Sequence, residues 1–405
     1  MLAITEKDKF LALPLSGRDP LGTQPIWQYR ARDVVPHLTA ASRRAEGFHI
    51  LLIAIAWWPE FATRYRSTGK QLRNFFILLE QAFARACRSA EVDWRLPGRQ
   101  RLYSREPGLW IGLSPDAHLL DNQLANGVWG LYRGPAIQAK LITEDNHIAS
   151  EKALQNIRDK SRIVEEMFKD ISKALSSPTA PPLTLASRRT HRYVVGLSEI
   201  VSKLPFKSII KNTFVTPGDS PITSDVATLA LKQGMAGGIA SFVKQAIEQL
   251  PEHRDTLTNI VRCEQFLAPI DAAFEYICGS EHTDIRFVAA DIPVDLKSLN
   301  AARSRFRQSG IYSNLARKRS NALLGLNLDN KQAFVASLIS HHAQISKDRR
   351  TAPWISVEEN GRLDCRLSPD MPAEWQLIPE QAWRYSYYLG ALGDLHVQIA
   401  SRGKQ

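Results

Sequence analysis

Residues 15–58 read LSGRDPLGTQPIWQYRARDVVPHLTAASRRAEGFHILLIAIAWW. The stretch passes from turn residues through an arginine-studded segment into ILLIAIAWW, residues 50–58, the most apolar run of the chain, which carries no charge. A bilayer-crossing helix needs about 20 apolar residues, roughly twice that length, so the run predicts a buried core helix on which the N-terminal half packs. Upstream, Gly17-Arg18-Asp19-Pro20 and Gly22 mark a turn. Residues 24–35 place Trp27, Ala31 and Val34 at helical spacing, and Pro36 ends that helix. Thr39 or Ser42 then stands where an N-cap of the apolar helix belongs.

Outward from there the periodicity stays helical. Helices are expected over residues 71–88, 123–132, 146–175, 194–204, 222–250, 256–278, 299–308, 312–324, 331–346 and 379–400. One β signal interrupts them. Residues 354–367, WISVEENGRLDCRL, put Asn360-Gly361 at the centre of a tight turn between alternating apolar positions, the pattern of a hairpin. Residues 176–190, SSPTAPPLTLASRRT, have the composition of a linker. The expected fold is therefore mainly α: an Arg-rich N-terminal helical domain (1–175), a linker (176–190), and a C-terminal helical domain (191–405) bearing a small hairpin near 354–367.

The chain of 405 residues has 52 Lys plus Arg against 41 Asp plus Glu, a net charge of +11. Residues 1–105 hold 17 of the basic and 9 of the acidic residues, so +8 of the excess lies in the first quarter. Arginine supplies most of it, interleaved with Trp27, Tyr29, Trp57, Trp58, Tyr65, Trp94 and Tyr103. Guanidinium groups pair phosphate oxygens in a planar fork, and aromatic rings stack on bases, so the mixture points to nucleic acid, with protein interfaces as the other use of the same residues. Residues 296–325 contain no acid but carry Arg303, Arg305, Arg307, Arg317, Lys318 and Arg319, with Phe306 and Tyr312 between them. These six, with Arg30, Arg32, Arg43 and Arg44, are the candidate nucleic-acid contacts. DNA is expected ahead of RNA, and a membrane is not. The cysteines at 87, 263, 278 and 365 have no framework spacing, and the N-terminus MLAITEKDKF lacks an apolar core, which together point to the cytoplasm.

Asp295-Leu296-Lys297, with Asp284 and Asp291 upstream, matches the acidic-x-Lys centre of metal-dependent nucleases, in which carboxylates hold a divalent ion and a lysine faces the attacking water. Residues 285–289 would then be the supporting strand. Against it stands the plainer reading of Asp295 as a helix N-cap and Lys297 as a solvated side chain. His253, Cys263, Cys278 and His282 are irregularly spaced and contain no CxxC pair, so no metal is expected. The adjacent His341 and His342 point apart on a helix and read as solvated or partner-facing. Residues 234–238, GMAGG, lack the Lys-Ser or Lys-Thr of a phosphate loop and read as small residues inside a helix. No cofactor is expected.

Two stretches resemble a group of uncharacterised bacterial proteins found among anti-phage defence genes. One is Arg18-Asp19-Pro20-Leu21-Gly22, the helix through Trp27, then Pro36-His37-Leu38-Thr39 and Ser42-Arg43. The other is Trp354, Asn360-Gly361-Arg362 and Trp383-Arg384-Tyr385-Ser386-Tyr387. Together they cover about a fifth of the chain and contain no catalytic signature. The resemblance implies a bacterial cytosolic protein working beside other components of a defence system. The expected function is a non-enzymatic nucleic-acid-binding accessory; the alternatives are a nuclease centred on Asp295 and Lys297, or a scaffold for an acidic protein partner.

Overall fold

The computed structural model describes residues 14, 18–105, 110–148, 161–179, 181–184, 187–203, 206–281 and 283–401. The chain is mainly α-helical. Its principal helices are α1 (Gln24–Val34), α2 (Ala45–Tyr65), α3 (Leu72–Ser89), α4 (Val128–Gln138), α5 (Ser161–Ser176), α6 (Ser187–Lys203), α7 (Pro221–Gln233), α8 (Gly238–Gln249), α9 (Arg254–Cys278), α10 (Ile285–Asp291), α11 (Leu296–Arg307), α12 (Asn314–Leu324), α13 (Lys331–Arg349) and α14 (Leu389–Ser401). Two antiparallel pairs of strands accompany them: β1 (Trp110–Ile111) with β2 (Leu183–Thr184), and β3 (Ile355–Val357) with β4 (Leu363–Cys365). No single helix among the described residues is long and apolar enough to cross a membrane.

These elements form two compact units, each discontinuous in sequence: residues 1–34 with 237–387, and residues 35–236 with 388–405. The segment expected as a linker, 176–190, falls inside the second unit, where β2 sets Leu183 opposite Ile111 and Thr184 opposite Trp110. Its Pro, Ser and Thr content signals irregular backbone, not whether that backbone is packed. The chain passes between the units at 34/35, 236/237 and 387/388, and the middle crossing lies in residues 234–238. These end α7 and begin α8, dividing the helix expected over 222–250, because Gly234 and Gly238 both take positive φ (69° and 81°).

The second unit is organised by α2. Ala45 to Trp57 are all buried, as the apolar run requires, and Trp58 is half-buried. Trp57 packs on Phe83 of α3 and Phe168 of α5, and Phe61 on Phe75 and Phe168. Neither Thr39 nor Ser42 caps this helix. They bond each other, and Arg44 occupies the N-cap without a side-chain bond. The first free amide, Ala45 N–H, donates instead to Gln398 Oε1 of α14, 2.8 Å away. The cap is supplied by tertiary packing, which local spacing does not reveal. The expected helix over 123–132 is split at Gly127 into Gln123–Asn126 and α4, and residues 149–160 of the helix expected over 146–175 lie outside the described residues.

The first unit is built around α9, most of whose apolar residues from Leu257 to Cys278 are buried and which packs against α1, α8, α11 and α13. The hairpin forms where expected, with Val357 opposite Leu363 and Ile355 opposite Cys365. Its turn differs. Glu358 N–H donates to Arg362 O and Gly361 N–H to Glu358 O, both at 2.9 Å, and only Gly361 has positive φ, at 83°. The loop is thus three residues closed by a glycine bulge, not the two-residue turn that Asn-Gly suggests. The helix expected over 379–400 begins only at Leu389. Residues 383–388 run irregularly because Glu264 of α9 accepts the amides of Arg384 and Tyr385 and the Tyr387 hydroxyl, and Tyr387 and Tyr388 adopt positive φ.

Candidate nucleic-acid interface

The acid-free stretch 296–325 folds as α11 and α12 in the first unit. Asp295 opens α11 as its N-cap: Oδ1 accepts Lys297 N–H at 3.0 Å, and Oδ2 accepts the Ser298 amide at 3.3 Å and its hydroxyl at 2.6 Å. These bonds hold its carboxyl below the usual range. Asp284 caps α10 and pairs with Arg286 at 2.7 Å. Residues 285–289, expected as the nuclease strand, are helical. Both candidate carboxylates therefore have structural partners, and Lys297 is exposed.

The six cations of the stretch divide by partner. Arg303 donates to Leu326 O at 2.8 Å and to Asn300. Arg305 lies 3.5 Å from Glu380, and Arg319 3.0 Å from Asp348, which Lys318 approaches at 3.7 Å. Among the described residues Arg317 reaches only Asn314, at 3.5 Å. Arg307, Arg317 and Lys318 are exposed, beside Tyr312 at 81% and Leu315 at 54% exposure. Among the described residues these three cations have at most a loose carboxylate partner, Asp348 at 3.7 Å from Lys318.

The N-terminal candidates fare differently. Arg30 is 5% exposed and ties α1 to the chain after α11, bonding Asp33 and the carbonyls of Ser309 and Gly310. It is a structural clamp, buried because its donors find carbonyls inside the unit. Arg32, also on α1, is exposed, and α1 packs on α12. In the second unit Arg43 is exposed and pairs with Asp394, while Arg44 is half-buried.

A second polar centre in the first unit joins the two stretches that carry the resemblance. Thr23 donates to Asp271 at 3.2 Å, Tyr385 O–H donates to the same carboxylate, and the Tyr385 ring stacks on Trp27 at 5.2 Å. Arg384 forks onto Glu275, and Arg349 pairs with Asp19 at 2.6 Å. All of these groups except Arg349 line a pocket of about 190 Å³. Burial pushes Asp271 and Glu264 up to about 8. His341 and His342, expected to face solvent or a partner, bond the carbonyls of Leu21 and Pro20, each at 2.9 Å, and His342 Nε2 accepts Trp354 N–H at 2.7 Å. Burial pushes His342 down to about 4, so it stays neutral. Because the polar groups satisfy one another, the centre acts as a knot holding residues 18–23 to α9 and α13. Cys263 and Cys278, weighed as zinc ligands, are fully buried in α9; His282 lies outside the described residues.

No protein-family model, curated protein or solved structure matches this chain.

Proposed function

We propose that this chain is a nucleic-acid-binding accessory protein, without catalysis of its own, that holds the phosphate backbone against the face formed by α11 and α12. The observation that carries the reading is the exposure of Arg307, Arg317 and Lys318 beside Tyr312 on an acid-free stretch of sequence. Arg32 of α1 extends the charge of the same unit. Duplex DNA is the preferred partner ahead of RNA, since arginine forks suit a regular array of phosphates. The setting belongs to the same proposal: a component of a bacterial defence or DNA-processing system, working with protein partners in the cytoplasm. The resemblance supports the setting, and four buried free cysteines support a reducing compartment.

The test is a salt titration of binding to labelled duplex DNA, single-stranded DNA and RNA with magnesium present, comparing the native chain with a triple Arg307→Gln, Arg317→Gln, Lys318→Gln variant. Each neutralised phosphate contact contributes about 0.9 to the slope of log affinity against log salt, so the variant is expected to lose about 2 to 3 units of slope. Substrate remains intact. An unchanged slope removes this face from the interface. Cleavage abolished by Asp295→Ala replaces the reading with the nuclease. Absence of binding at low salt leaves the protein scaffold.

A further inference from the structure

A second concentration of positive charge lies in the other unit and has a different form. Arg85 and Arg88 project from one face of α3. Arg101 belongs to the short helix Arg99–Tyr103, and Arg105 follows it. With His118 and Trp110 these four arginines line a single pocket. Arg85 is 3% exposed, its guanidinium lies 3.7 Å over the Trp110 ring, and Arg105 stands over the same ring at 5.7 Å.

The way these groups are held separates them from ordinary salt-bridged arginines. Arg85 Nη2 donates to Ala117 O at 2.8 Å, Arg88 to Leu102 O, and Arg105 to Asp116 O. Backbone carbonyls orient a guanidinium without cancelling its charge. Of these four, only Arg101 has a carboxylate partner among the described residues, Asp121 at 2.8 Å, and that side chain is fully exposed. Arg85 Nη1 is buried with no hydrogen-bond partner among the described residues. Burying an uncompensated cation is costly, and clustering four of them adds repulsion, so the pocket as folded stands ready for an anion. Burial and the charge of Arg105 push Arg85 down to about 9, which leaves it cationic at neutral pH.

Shape narrows the class of anion. The enclosed space is about 10 Å³, room for one oxygen-sized atom. Sharing Arg101 and Leu119 with it is a shallower groove of about 360 Å³, lined by Leu96, Pro97 and Leu120 together with Arg99 and Asp121. A small blind recess takes the end of a group, not the middle of a continuous strand. Four forked cations exceed what one carboxylate needs, since a single arginine already engages both its oxygens. The adjoining, mostly apolar groove suits the body that carries the anionic end.

We propose that Arg85, Arg88, Arg101 and Arg105 bind the terminal phosphate of a phosphate monoester at the mouth of their pocket, with one phosphate oxygen entering it and the organic part in the neighbouring groove. The site goes beyond backbone binding by α11 and α12 and does not depend on it. The ligand chemistry is the same in a free nucleotide and in a 5′-phosphorylated nucleic-acid end, and the experiment distinguishes the two.

Binding is measured by calorimetry for inorganic phosphate and adenosine monophosphate, and by anisotropy for matched oligonucleotides with 5′-phosphate or 5′-hydroxyl ends. The expected result is a preference of about tenfold or more for the 5′-phosphate, given the strength of charge-assisted forked bonds. Adenosine monophosphate competes for it. Saturable binding of the mononucleotide with no preference between oligonucleotide ends identifies the free nucleotide as the source. Because Arg85 is buried and its replacement endangers folding, the variants are the half-buried Arg88→Gln and Arg105→Gln, each checked by its melting curve. Loss of the preference, or of mononucleotide binding, in folded variants supports the site, and its retention overturns it. Absence of saturable binding by phosphate, the mononucleotide and the 5′-phosphate alike also overturns it. The triple variant of α11 and α12 is expected to keep the end preference while losing affinity for both oligonucleotides, which separates failure of this site from failure of the backbone interface.

Discussion

At the scale of single residues, the buried carboxyl groups decide how stability responds to pH. Glu264 accepts bonds from two amides and a hydroxyl yet is pushed up to about 8 by burial, Asp271 likewise to about 8, and Glu80 to about 7. An acid with a raised folded value keeps a proton that the unfolded chain releases above pH of about 4. The stability it contributes is complete below that pH and is lost as pH rises through about 8. Urea unfolding is therefore expected to show a decline on the order of a few kcal/mol between pH 5 and 8.5. Glu264→Gln is expected to flatten that decline. A variant equally destabilised at both pH values, with the slope intact, would show that the group is ionised in the folded chain. Residue types were legible in the sequence here, but their partners were not. Arg30 and Arg307 are the same letter in similar contexts, and one is a clamp on two carbonyls while the other is exposed. Asp295 needed only its position before an amphipathic run to be read as a cap. The arginines at 85, 88, 101 and 105 were visible as composition, and nothing in their spacing announced that they meet.

At the scale of elements, periodicity carried most of the fold, because one buried stripe at 3.6 residues is enough to define a helix. It failed where a backbone decision was made by contacts distant in sequence. Residues 383–388 have helical spacing, but Glu264 draws their amides away. Close helix approach was also invisible. Gly47 of α2 sits against Tyr132 of α4, and a Cβ there would lie 2.3 Å from the ring. Gly47→Ala is accordingly expected to cost about 1 to 3 kcal/mol, despite alanine being the better helix former. A pair of melts, Gly47→Ala alone and combined with Tyr132→Leu, checks this: the smaller ring should recover part of the loss. If Gly47→Ala stabilises the chain, the two helices are not in contact as described.

At the scale of the whole molecule, the second unit is closed by a helix from the far end of the chain. α14 supplies Gln398 to the uncapped amide of Ala45, Asp394 to Arg43, and a histidine, His396, to the Ala227 carbonyl at 2.9 Å. A chain ending at residue 387 loses all three. Hydrogen exchange is expected to accelerate in α2 and α7 ahead of α9, and equal acceleration in α9 would show that the two units unfold as one. The interleaving of segments also sets a schedule for synthesis. Residues 1–34 are made long before 237–387, with which they belong, so α1 must wait for about 240 further residues before α9 is complete, roughly 12 to 50 s at common elongation rates. Meanwhile the body of the second unit emerges, itself unfinished until its last helix arrives. α1 thus passes that interval with Ile26, Ala31 and Val34, buried in the finished unit, lacking their permanent neighbours.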